Sequence, residues 1–175
     1  RRAAEHALAR SDREADPRLR VNVLYAAALC ATHQGDWRAG RRYTEERLEI
    51  ARMLDDERMV AVALNDLGVD AISSGDLEAG TRFFEKSRAL AARIGESRTV
   101  ASTTNNLADA SLIQGDHASA RALAEEAIAL TPPDDPWRVH PESNLAFALL
   151  GLGEVELAAE KFRDTIEVVR RVLGP

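Results

Sequence analysis

Leu67-Gly68-Val69-Asp70-Ala71-Ile72-Ser73-Ser74-Gly75-Asp76-Leu77-Glu78-Ala79-Gly80-Thr81-Arg82-Phe83-Phe84 is the stretch that decides the fold. Ahead of it Val60 and Leu64 lead into Leu67 and Ala71 at helical three and four spacing, and a Gly-acid pair then breaks the pattern. Glycine can take the left-handed conformation that closes one helix, and the aspartate can cap and neutralise the start of the next. The pair occurs four times, as Gly35-Asp36, Gly75-Asp76, Gly115-Asp116 and Gly153-Glu154, at gaps of 40, 40 and 38 residues. A period of this size predicts a solenoid of stacked helix-turn-helix units.

With each turn glycine as a fixed point, the other positions fall into columns. Seven residues earlier stand Ala28, Gly68, Ala108 and Ala146, and five residues later Gly40, Gly80, Ala120 and Ala158. Only Gly or Ala fills these places, where the two helices of a pair cross and small residues let the backbones approach. Leu67, Leu107 and Leu145 sit beside the first column as large core partners, with Ala27 the weak member. Glu5, Glu45, Glu85 and Glu125 repeat at intervals of 40 on an expected solvated face.

The register predicts an all-α chain of antiparallel helix pairs forming one continuous domain over 1–175. A partial second helix within 1–15 continues a preceding repeat, and the chain reads as an excerpt of a longer protein. Helix pairs follow at 18–33 with 37–54, 57–73 with 77–94, 97–113 with 117–130, and 139–151 with 155–173. Thr131-Pro132-Pro133-Asp134-Asp135-Pro136 breaks the pattern, and Pro141 falls inside an expected helix. Proline suits a first turn but costs about 3 kcal/mol in a helix interior, so the helix must start near Pro141 or bend there.

Composition narrows the function classes. The 29 acidic and 23 basic residues give a formal charge of −6, which argues against direct nucleic-acid binding. No run of 18 apolar residues predicts a membrane span and no leader is visible. Cys30 is the only cysteine, which excludes an internal disulfide and fits a reducing, cytoplasmic setting. Lysine occurs only at 86 and 161 while Arg and Ala abound, a usage that suggests a GC-rich bacterial genome.

Leu67-Gly68…Gly75-Asp76…Gly80…Phe84 and Leu145-Ala146…Gly153-Glu154…Ala158…Phe162 together resemble the tetratricopeptide repeat (TPR) family. The resemblance covers essentially the whole chain and implies a right-handed superhelix (α-solenoid). The chain departs from the common 34-residue form in its 40-residue period and in lacking a proline to close each unit. Its early unit carries Thr44 and Arg47 where an aromatic and a small residue are usual. Similar long repeats, with motifs like Asn105-Asn106-Leu107-Ala108, occur in the sensor arms of bacterial transcription activators, in motor light chains and in peptide-sensing regulators. No phosphate-binding Gly-rich loop and no helix-turn-helix reader is evident in this chain.

In that family this part of the first helix faces a concave groove. The resemblance places Asn106 and Asn144 there, and more weakly Asp66, beside Asn65 and Asn105. An amide there can offer a donor and an acceptor to an extended peptide, or it can satisfy a neighbouring turn within the stack. Asn22, Leu29, Val62, Val69, Ile72, Ser102, Asp109, Leu112, Phe147 and Leu150 would line or border the same groove. The surface lacks the clustered Lys and Arg that grip an acidic peptide terminus, so an apolar or amphipathic helical partner suits it better.

Rival chemistry finds little support. His6, His33, His117 and His140 form no i, i+4 ligand pair, so no metal or other cofactor is expected. Cys30 reads as a small core residue, and Asp55-Asp56, Glu125-Glu126 and Asp134-Asp135 as turn or surface carboxylates instead of a hydrolytic pair. Arg38, Arg41, Arg42, Arg47 and Arg52 read as a salt-bridged outer face. The expectation is a non-enzymatic interaction or sensor module of a larger bacterial regulator, binding a protein or peptide. The alternative is an oligomerisation or scaffolding segment, a homodimer assembled through end helices such as Val155–Leu173 with Val168, Val169 and Val172.

Overall fold

The computed structural model describes residues 16–173, with side chains through Arg170. The partial helix expected within 1–15 and the side chain of Val172 lie outside the described residues. The expected helices are present: α1 (Pro17–His33), α2 (Trp37–Met53), α3 (Glu57–Ser73), α4 (Leu77–Arg93), α5 (Ser97–Gln114), α6 (His117–Leu130), α7 (Val139–Gly151) and α8 (Val155–Leu173). A single 3-10 turn, Pro136–Arg138, precedes α7, and no strand occurs among the described residues.

The Gly-acid pairs act as their chemistry dictates. Gly75 has φ +88°, its N–H donates to Ile72 O, and the Asp76 N–H reaches back to Ala71 O at 2.9 Å. This is the double bond of a Schellman closure, and it repeats at Gly35, Gly115 and Gly153. The carboxylates of Asp36, Asp76 and Asp116 then accept from Ala39, Ala79 and Ser119 N–H, so one dipeptide both stops a helix and caps its successor. Asp56 caps α3 in the same way through Met59 N–H.

By contacts the described residues fall into two compact units, divided between Ile94 and Gly95. In the first, α1 packs on α2, α2 on α3 and α3 on α4. Val21, Leu24 and Ile50 form one core cluster, and Leu48, Ala63, Leu64 and Leu67 a second. Gly68 lets α3 and α4 cross closely, because the buried Phe84 ring occupies the space a Cβ there would need.

In the second unit α5 packs on α6, α6 on α7 and α7 on α8, and α5 also touches α7. Ala108, Ala124, Leu145, Leu149 and Ala158 form its core. The irregular 131–138 stretch is tied down by Arg138, which donates to Ile128 O at 2.9 Å and Thr131 O at 2.7 Å while also bonding Glu142. Those contacts add to the Thr131 N–H bond on Ile128 O and fasten the stretch to the end of α6. Pro141 is the third residue of α7, within the first turn where it needs no donor, so the helix starts near it without a break.

Candidate functional site

The register assigns a side chain to the same place in each first helix, and exposure can be read column by column. Leu29, Val69, Asp109 and Phe147, each six residues before a turn glycine, are all exposed. Their neighbours one residue earlier, Ala28, Gly68, Ala108 and Ala146, are all buried. An exposed pair therefore borders a closely packed seam in each unit, Leu29 with Val69 in the first and Asp109 with Phe147 in the second. Leu150 is exposed as well, whereas Val62, Ile72, Ser102 and Leu112 are half-buried.

In the first unit this face holds a pocket between α1, α2 and α3 with a volume of about 100 Å³. Its lining includes Tyr25, Leu29 and Val69, which are 46%, 43% and 38% exposed and form an apolar rim. The floor is polar and buried: Thr44, Arg47 and Asp70. Arg47 donates through Nη1 to Asp66 Oδ2 at 2.5 Å, and its guanidinium carbon lies 4.8 Å from the Tyr25 ring centroid. Asp70 accepts from the Thr44 hydroxyl at 3.0 Å and the Thr32 hydroxyl at 3.3 Å. Burial pushes the carboxyls of both Asp66 and Asp70 above the usual range, against the opposing pull of Arg47 on Asp66 and of the threonine hydroxyls on Asp70. Asn65 also donates to Asp66.

This pocket corrects one reading of the sequence. Arg47 does not belong to the basic outer face with Arg38, Arg41, Arg42 and Arg52, which are exposed; its side chain is 5% exposed and turned inward. The signal was present in the columns. Arg47 stands twelve residues after its turn glycine, where the other repeats place Ser87, Ala127 and Thr165. Asp70 occupies a column otherwise filled by Cys30, Ala110 and Ala148, and Thr44 stands in the column of Phe84, Ala124 and Phe162. A long cation, a carboxylate and a missing ring in three small or aromatic columns together mark a departure from a plain hydrophobic core.

In the second unit the two amides meet each other. Asn144 is buried and donates from Nδ2 to Asn105 Oδ1 at 3.0 Å, which ties α7 to α5. Asn105, also buried, makes a longer 3.5 Å contact from Nδ2 to Asp109 Oδ2. Although Asp109 keeps an exposed edge, partial desolvation by the packed helices raises its carboxyl, opposed by a hydrogen bond from Asn144 and by His140. Asn106 is half-buried. Phe147 stands 52% exposed and meets Phe162 edge to face at 5.0 Å between centroids. No cluster of His, Cys, Asp and Glu among the described residues could hold a metal ion, and no described helix is long and apolar enough to cross a membrane.

The tetratricopeptide repeat family model matches residues 59–132, from α3 to just beyond α6. That stretch carries tetratricopeptide repeats. Compared by sequence with curated proteins, it has no match. Among solved structures, BtubC (BKLC) from P. vanneervenii is 20% identical with a TM-score of 0.77, over 98% of this chain and 72% of that one. The apo form of RapI is 13% identical with a TM-score of 0.81, over 98% of this chain and 62% of its own. A Podosopora anserina putative kinesin light chain with nearly identical TPR-like repeats is 16% identical with a TM-score of 0.64, over 90% and 79%. At these identities the likeness is one of fold, and it places the chain among TPR-like α-solenoids. TPR folds serve as protein-interaction scaffolds, and this chain has that build.

Proposed function

We propose that the chain binds a peptide or partner helix along the exposed face of its first helices, as the sensing module of a larger cytoplasmic, bacterial regulatory protein. The observation that carries this is the exposure of Leu29 and Val69 in the first unit and of Asp109 and Phe147 in the second, each beside a buried Gly or Ala. Leu29, Val69 and Phe147 leave large apolar surface in solvent, and exposed apolar surface marks interaction sites. Asn65, Asp66, Asn105, Asn106 and Asn144 then bear on specificity from beside these residues. Asn144 and Asn105, being bonded to each other, act by holding the face in shape.

The test is selection from a displayed peptide library on the immobilised chain, followed by affinity measurement for the winning sequences. Val69→Glu and Phe147→Glu should each weaken the selected peptides at least tenfold while helicity stays unchanged. Unaltered affinity in both variants would reject this face.

A second reading has its own observation. The last helix α8 leaves Val155, Ile166 and Val169 exposed, with Val168 half-buried. Homodimerisation through that face would make the chain an assembly segment. Light scattering over a concentration series decides it: a dimer disrupted by Ile166→Glu supports assembly, and a monomer throughout rejects it.

A further inference from the structure

The pocket of the first unit has a mismatch in its hydrogen bonding that points to a particular ligand group. Arg47 is buried and uses Nη1 on Asp66, yet its Nε finds no hydrogen-bond partner. A buried guanidinium N–H without an acceptor carries a full desolvation cost, so the site is unfinished as it stands. On the other side of the same pocket the two oxygens of Asp70 each take one threonine hydroxyl, and a carboxylate has room for about four donors. The pocket therefore wants one acceptor for Arg47 and one donor for Asp70.

Charge decides which group supplies both. The titratable side chains lining the pocket are Arg47 against Asp66 and Asp70, plus the Tyr25 phenol, so two carboxylates face one guanidinium. An incoming carboxylate would suit Nε but would be repelled by Asp66 and Asp70. An ammonium would suit Asp70 and leave Nε without its acceptor. A neutral carboxamide does both, its carbonyl oxygen accepting from Nε and its amide N–H donating to Asp70, with no charge brought into a desolvated site. The apolar rim of Tyr25, Leu29 and Val69 would cover the methylenes leading to that group.

We propose that this pocket receives a primary carboxamide, the side chain of an asparagine or glutamine on the docked peptide, held between Arg47 Nε and the Asp70 carboxylate under the rim of Tyr25, Leu29 and Val69. The space exists because Thr44 stands in the column where Phe84 fills the next repeat. The same substitution supplies the hydroxyl that orients Asp70. As a deepening of the groove reading, the proposal depends on that reading for the source of the amide, but not for the chemistry of the pocket.

The experiment uses the whole 175-residue chain and three probes of matched size: propionamide, propionate and propylammonium. Amide cross-peaks in nitrogen–proton NMR spectra are followed as each probe is added. Propionamide should shift Thr32, Thr44, Val69 and Asp70 saturably in the millimolar range expected of so small a ligand, about tenfold more tightly than either charged probe. Arg47→Met should abolish the effect. If that variant loses its helicity, Val69→Trp, which closes the rim and leaves the buried network in place, should abolish it instead. No saturable shift would mean a water-filled cavity only and would overturn the proposal. So would preference for propylammonium or propionate, or propionamide binding that survives Val69→Trp. The library selection above reads the groove separately, so failure of either result is distinguishable from failure of the other.

Discussion

Gly68→Ala sets two well-known effects against each other, and the geometry settles their sum. Gly68 is a helix-interior residue of α3, where alanine is favoured over glycine by about 1 kcal/mol on intrinsic propensity. A Cβ placed there, however, lies 2.3 Å from Phe84 Cε1 and 2.4 Å from Cδ1, where ordinary contact begins at 3.4 Å. The shortfall is 3.4 − 2.3, or about 1.1 Å, and the ring that must absorb it is only 2% exposed. Overpacking of this kind costs about 1–3 kcal/mol, and a buried aromatic with so large a required shift belongs at the upper end. The net expectation is a loss of about 1–2 kcal/mol, or a fall of about 2–8 °C in Tm for a chain of this size. Urea unfolding followed by far-ultraviolet circular dichroism measures it. The partner variant Phe84→Leu and the double variant complete a cycle, in which the pair should show coupling of at least about 1 kcal/mol. A stabilised Gly68→Ala, or a cycle with no coupling, would refute both the close crossing and the register that predicts it.

Three further outcomes follow from the same geometry. Asn144→Ala removes the donor to Asn105 and leaves a buried amide oxygen unpaired, so the urea midpoint should correspond to a loss of about 1–3 kcal/mol; an unchanged midpoint would return Asn144 to the role of a free groove contact. Asp55 adopts φ +50°, forty residues before Gly95 at φ +72°, so Asp55→Gly should stabilise by about 0.5–1 kcal/mol, read as a rise in Tm. Asp66, Asp70 and Asp109 have carboxyls raised by burial, so the folded state binds more protons than the unfolded chain as pH falls from neutrality toward the ordinary carboxylate range. Their contribution to stability therefore rises on that acidification and is lost as pH rises through the folded values. Asp70→Asn should remove part of that slope when urea midpoints at about pH 5 and 7 are compared; an identical slope in the variant would show that Asp70 is not desolvated.

Much of the fold was legible because its determinants are local. A glycine that must turn left-handed, an acid that must cap, and a residue that must be small at a crossing each act within a few positions of themselves. Repetition makes such signals additive, which is why helix limits such as Glu57–Ser73 and His117–Leu130 coincide with the expected ones. Arg47 shows where that logic stops. A helix surface reads an arginine among glutamates as solvated, and only the packing of α1 and α3 on α2 shows that this one points inward to Asp66. The same holds for Asn105 and Asn144, whose pairing across two helices depends on a distance that no single-helix pattern encodes. Val69 and Phe147 were legible as exposed because their column differs from a buried one by a single step in register.

Among the described residues, the side-chain bonds that join one helix or its cap to another all stay within one repeat along the chain. Thr32 to Asp70 spans 38 residues, Glu57 to Arg93 spans 36, Arg121 to Glu154 spans 33 and Asn105 to Asn144 spans 39. Each is at most about one repeat, so no such tie requires a loop much longer than a helix pair to close first. Chains whose contacts are this near in sequence fold rapidly and open piecemeal, one neighbouring pair at a time. Hydrogen exchange should therefore report graded protection, greatest where Phe84 seals the α3–α4 crossing and lower at the outer turns of α8. A partner that docks on the first helices would then have a kinetic handle as well as a binding surface, because holding two adjacent repeats together slows the opening of both.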